Sequence, residues 1–178
     1  MNNLIEKADD FVLNLFKEKL PNTYIYHNYK HTQRVVKSTK ELISKSEINV
    51  KQEEALLLAA WLHDTGYTRT FNGHEEESVN IARDFLKQHN ATPELIENVV
   101  KNIKATKFDS VPETISEKII KDADSSHFAK DYFEETSELL RQELELHNIK
   151  NFTTAEWIQE NIRMFTEKHQ FYTDYAIE

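Results

Sequence analysis

The 178-residue chain has no cysteine, two glycines and three prolines. Without thiols it can build no disulfide, iron–sulfur cluster, thiolate nucleophile or cysteine-bound zinc site, and a reducing cytoplasm is the expected setting. Any metal must then be held by His, Asp and Glu. Average usage would put roughly twelve glycines and nine prolines in a chain of this length, so the shortage favours long helices over turn-rich sheet. Long apolar runs are missing too. The longest, Ala55 to Leu62, has 8 residues, against the ~20 needed to cross a bilayer. The opening stretch MNNLIEKADD is acidic, unlike the basic start of a secretory signal, and an unexported cytoplasmic protein is expected. Cationic side chains are outnumbered, 22 against 31 acidic ones, for a formal charge of −9. That balance argues against a nucleic acid duplex or an anionic membrane as a partner, and leaves room for a small anionic substrate drawn by a local cation.

What the chain does have is helical periodicity almost throughout. Leu4, Ala8, Phe11 and Leu15 recur at helix spacing, as do Val35, Val36, Thr39, Leu42 and Ile43. Thr92 before Pro93, and Thr153 followed by Glu156, are helix-start signals. The pattern predicts an all-α single domain of 8–9 helices over 3–20, 28–46, 51–64, 74–90, 93–105, 113–123, a short one after Asp124, 130–148 and 153–170. Trp157, Phe165, Phe171 and Tyr172 in the last third read as core or as the surface of a homodimer. Both glycines, Gly66 and Gly73, bracket one loop, where glycine permits either a left-handed turn or a close backbone approach.

That loop follows the most informative pair, His63-Asp64, which ends the apolar run. A carboxylate buried beside a helix core is costly unless it is paired or binds a cation. Candidate companions are His31 upstream and Asp124 downstream. Each alone has a plain explanation, His31 as a core histidine and Asp124 as a helix cap. The four together, set in YHNYKHTQRVV (26–36), LLLAAWLHDTGYT (56–68), GHEEESVNIARDFL (73–86) and KIIKDADSSHF (118–128), resemble the HD superfamily of metal-dependent phosphohydrolases in order and spacing.

The resemblance spans about residues 26–130, with the helices of 130–170 expected to pack onto that core. It implies that His31, His63, Asp64 and Asp124 hold a metal. Two imidazoles and two carboxylates form a donor set of borderline softness that suits Mn, Fe, Co, Ni, Zn or Mg. A divalent ion so held activates water and neutralises charge on phosphoryl oxygens. The implied activity is hydrolysis of a phosphoester in a small molecule such as a nucleotide, with the metal ligand Asp64 also counted in the catalytic centre. His27, one helical turn before His31, matches the general acid of the phosphodiesterase branch, and Lys107 is a second group that could assist the leaving oxygen. His74 and Glu77 match a block that touches a second metal, its water or the substrate. Arg34, Arg69, Lys104 and Lys107 are candidate phosphate ligands.

Departures narrow the reading. HNYKH has the spacing of a zinc-protease helix, but Asn28 stands where that chemistry needs Glu. The stretch IKATK (103–107) lacks the extra histidines of binuclear members, so one divalent ion is expected and a di-iron oxygenase is disfavoured. TGYTRT after the pair lacks the acidic residues of stringent-response hydrolases. A non-catalytic metal- or nucleotide-binding module is the rival from another class.

Overall fold

A computed structural model describes residues 2–178. Among the described residues there are nine α-helices and no strand: α1 Asn2–Lys19, α2 Tyr29–Ile43, α3 Val50–Leu62, α4 His74–Gln88, α5 Pro93–Ala105, α6 Ile115–Asp124, α7 Phe133–Leu146, α8 Thr154–Arg163 and α9 Asp174–Ile177. Among the described residues no helix is long and apolar enough to cross a membrane.

Capping chemistry sets most of the starts. The Asn28 side chain accepts from the backbone N–H groups of Lys30 and His31, so α2 begins one residue later than expected. Asn49/Gln52, Thr114/Glu117 and Thr153/Glu156 form reciprocal capping boxes at α3, α6 and α8, and Thr92 caps α5 ahead of Pro93. The segment expected over 153–170 is shorter. After Arg163 the chain makes a π turn over Met164–Lys168, and His169 is extended at φ −103, ψ 141. Its continuation is held by α6 rather than by its own helix, which periodicity cannot register.

α3 is the centre of the molecule. Every residue from Ala55 to Leu62 is buried, and the helix packs against α1, α2, α4, α5 and α6. A helix apolar all round is one enclosed by others. Ala8, Val12 and Phe16 of α1 line one side of it, and Val99, Val100 and Ile103 of α5 another. α8 sits at the rim: Trp157 Nε1 donates to Ser137 Oγ (2.9 Å), while Ile158 and Ile162 are exposed.

The two glycines have different reasons to be there. Gly73 has φ 74 and turns the chain into α4. Gly66 is a matter of space: a Cβ there would lie 1.9 Å from the His74 carbonyl oxygen and 2.8 Å from the Ser78 backbone nitrogen. Its N–H donates to Ser78 Oγ at 2.8 Å, drawing the start of α4 against the loop that leaves α3. Gly66→Ala must push α4 outward, with an expected loss of about 1–3 kcal/mol, to be read by urea denaturation against wild type. Unchanged stability would show that the contact can relax freely.

Candidate metal centre

The ends of three helices meet in one place. His31 lies near the start of α2, His63-Asp64 directly after α3, and Asp124 closes α6. His31 Nε2 is 3.3 Å from Asp64 Oδ2 and 3.2 Å from Asp124 Oδ1. His63 Nε2 is 3.2 Å and 3.5 Å from the same two oxygens. His31, His63 and Asp124 form a cluster able to hold a metal ion, and Asp64 faces both imidazoles.

Despite these distances His31 Nε2, His63 Nε2 and Asp64 Oδ2 are buried and make no hydrogen bond among the described residues. An unsatisfied buried polar atom costs about 1–3 kcal/mol, and three that converge fit an ion that accepts a lone pair from each. His63 Nδ1 lies 2.9 Å from the Ala60 carbonyl oxygen, which can only accept, so Nδ1 carries a proton and Nε2 is the atom presented to the cluster. The local electrostatics agree. Burial alone would depress His31, yet Asp124 and Asp64 more than offset it and raise the imidazole to about 9. Burial works against ionised Asp64 as well, but the His63 and His31 rings hold it well below the usual carboxylate range. The same field attracts a divalent cation, which must displace protons to bind.

The cluster forms the floor of a cleft of about 260 Å³. His27 and His74 are on its wall, with Tyr67 between them: its ring lies 3.8 Å from that of His74, nearly parallel at 15°, and 4.5 Å from that of His27. His74 Nδ1 is 3.2 Å from the Phe71 carbonyl, and Nε2 is 3.7 Å from Asp64 Oδ1. His27 Nδ1 is paired with Glu143 Oε1. Glu143 is wholly buried on α7, and its Oε2 accepts from the backbone N–H groups of Tyr26 (2.7 Å) and His27 (3.0 Å).

Five residues singled out in the sequence are not on this wall. Arg69 pairs with Glu77 at 2.8 Å, Lys104 with Glu76 at 3.6 Å and Lys107 with Asp109 at 3.8 Å. Arg34 lies over the Tyr132 ring at 4.4 Å. The cleft takes its cations instead from Lys121 and Lys168. Lys121 Nζ donates to the carbonyls of Lys107 (2.7 Å) and Phe108 (3.3 Å), tying down the end of α5.

Sequence reasoning passed over Tyr67, Lys121 and His127, although all three stand inside the quoted blocks. It also passed over Glu143 and His169. His127 Nδ1 is 3.2 Å from the Tyr26 hydroxyl, and burial, with His31 nearby, lowers its imidazole to about 4. Glu143 had no local signal: it is one acid among several in RQELEL, and only its burial sets it apart.

Residues 28–129 match the model of a family described as HD domain. No curated protein and no solved structure matches the chain. The matched segment contains His31, His63, Asp64 and Asp124, begins just after His27 and ends before α7 with its Glu143.

Glu143 carries a pH signature. Burial works against its ionised form, but the His27 ring and the two backbone N–H groups outweigh that and hold its pKa below 4.5. A folded pKa below the unfolded one stabilises the protein above about 4.3, and that stability is lost as pH falls through the folded value. Glu143→Gln should therefore flatten the fall in stability below pH ~4.3. Denaturation at stepped pH checks it, and an unaltered slope would assign the acid sensitivity to other carboxylates.

Proposed function

The chain belongs to the HD domain family, and on that basis we propose that it is a metal-dependent phosphohydrolase acting on a phosphoester of a small molecule. The observation that carries this reading is the convergence of three unsatisfied buried donor atoms, with Asp124 beside them, at the floor of an open cleft. His31, His63, Asp64 and Asp124 would hold one divalent ion. When bound, such an ion polarises the phosphoryl group and activates water for attack.

The rest falls to the protein's own side chains. Glu143 takes Nδ1 of His27, which fixes the ring and leaves Nε2 as the atom that can deliver a proton to the leaving oxygen. Tyr67, stacked on His74 and in tilted contact with His27, holds two imidazoles on the same wall, so neither must find its position when substrate arrives. Tyr26, pressed by burial and by Asp124 to stay protonated, is a hydrogen-bond donor rather than a phenolate. The placement of Arg34, Arg69, Lys104 and Lys107 lends no support to direct contact with phosphate, nor that of Glu77 to contact with substrate. Lys168 lines the cleft and is paired with Glu160 at 3.1 Å. The size of the cleft supports a small substrate.

Asp64→Ala should lose the bound metal and the activity together. His27→Ala should keep the metal and lower turnover by about 10²–10⁴-fold, with a smaller loss on p-nitrophenyl esters, whose leaving group needs no proton. Elemental analysis per chain, paired with a phosphoester screen, tests both. Metal without hydrolysis of any ester would favour a binding module, and full activity in Asp64→Ala would overturn the site.

A further inference from the structure

The matched family segment stops at residue 129, yet six residues beyond it line the cleft: Leu140, Met164, Lys168, His169, Gln170 and Tyr172. Five of the six come from the stretch that breaks helix α8. The π turn over Met164–Lys168 ends with the His169 backbone N–H donating to the Met164 carbonyl at 2.8 Å, and from there the chain runs extended. Helical geometry continued through His169 would carry this segment along a different course.

The stretch is anchored with unusual firmness. Asp122, buried on α6 two residues before Asp124, accepts from the backbone N–H of Tyr172 (3.0 Å), the backbone N–H of Thr173 (2.7 Å) and the Thr173 hydroxyl (2.7 Å). One turn of α6 thus holds both a member of the metal cluster and the far wall of the cleft, so the distance between them is fixed by a rigid element.

The far wall has its own chemistry. Phe128, Met164 and Tyr172 are its apolar part. His169 is wedged between the Phe128 and Phe171 rings, each 4.7 Å from it, and its Nε2 is buried with no hydrogen-bond partner. Burial, with Lys121 nearby, pushes its imidazole below the usual value, so the ring is neutral at pH 7 and offers both a donor and an acceptor. Rings, a methionine and one unsatisfied imidazole suit a flat, polar-edged ring better than a sugar or an alkyl chain.

We propose that the segment from Met164 to Tyr172 is the specificity wall of this site, taking the non-reacting part of the substrate as a flat heterocycle, with His169 Nε2 hydrogen-bonded to its edge. The proposal rests on the phosphohydrolase reading for what sits at the metal pole, but the wall can be tested without turnover. Adenosine, guanosine, cytidine and uridine, which carry no phosphate, are titrated into the intact protein while the His169 ring nitrogens are followed by ¹⁵N NMR. At least one nucleoside should shift the His169 Nε2 resonance and saturate. His169→Ala should weaken that nucleoside about tenfold, and His169→Gln should recover part of the loss by returning a hydrogen-bonding group. In hydrolysis, the preference in kcat/KM for the matching nucleotide over ribose 5-phosphate should fall by a similar factor in His169→Ala. No shift with any nucleoside, or equal affinity in wild type and His169→Ala, overturns the wall whatever the hydrolysis assays give. A saturating shift with no hydrolysis of any phosphoester would uphold the wall and sink the phosphohydrolase reading instead.

Discussion

The structure is organised around two imidazoles and two carboxylates gathered where α2 starts and α3 and α6 end, all but Asp124 buried. Charged groups removed from water must be compensated, and these compensate one another only in part, since three of their atoms have no hydrogen bond. Everything near them is arranged to keep them converged. α3 is apolar on all sides and therefore central, which places His63 and Asp64 in the interior rather than at the surface. Asn28 caps α2 so that His31 falls in its first turn, and Gly66 lets α4 approach closely enough to bring His74 beside Asp64.

Two further carboxylates repeat this logic farther out. Glu143 reaches from α7 to bind the Tyr26 and His27 backbone and the His27 ring; Asp122 reaches from α6 to bind Tyr172 and Thr173. Each is buried and satisfied by several donors, so each acts as a fastener between segments distant in sequence. One fixes the residue suited to proton transfer, and the other fixes the C-terminal segment that lines the cleft. Both fasteners join the matched family segment, or the residue just before it, to chain beyond its end, which is how a shared cluster can be given a cleft of its own shape.

Much of this could be read before folding. Scarce glycine and proline with sustained 3.6-residue periodicity pointed to an all-α domain, and Thr92-Pro93 and Thr153/Glu156 marked helix starts because capping is a contact between neighbours. His63-Asp64 stood out because polar residues ending an apolar run are rare, and His31 and Asp124 joined them through four ordered blocks that resemble one family. Charge nominated Arg69, Lys104 and Lys107 for phosphate, yet each pairs with a nearby acid: charge shows which residues could hold a phosphate, not whether they face a cleft.

What the sequence by itself determined was local and periodic: where helices begin, that Ala55–Leu62 would be enclosed, and which imidazoles and carboxylates needed a partner. Only the tertiary structure decided that Glu143 would sit against His27, 116 residues away in the chain, and that the helix after Arg163 would unwind to lay His169 along the cleft. The physical reason is that burial is a property of the assembled fold. An acid in RQELEL and a histidine in EKHQF look solvated until other helices cover them, and only then does an unsatisfied or newly satisfied polar atom acquire a role.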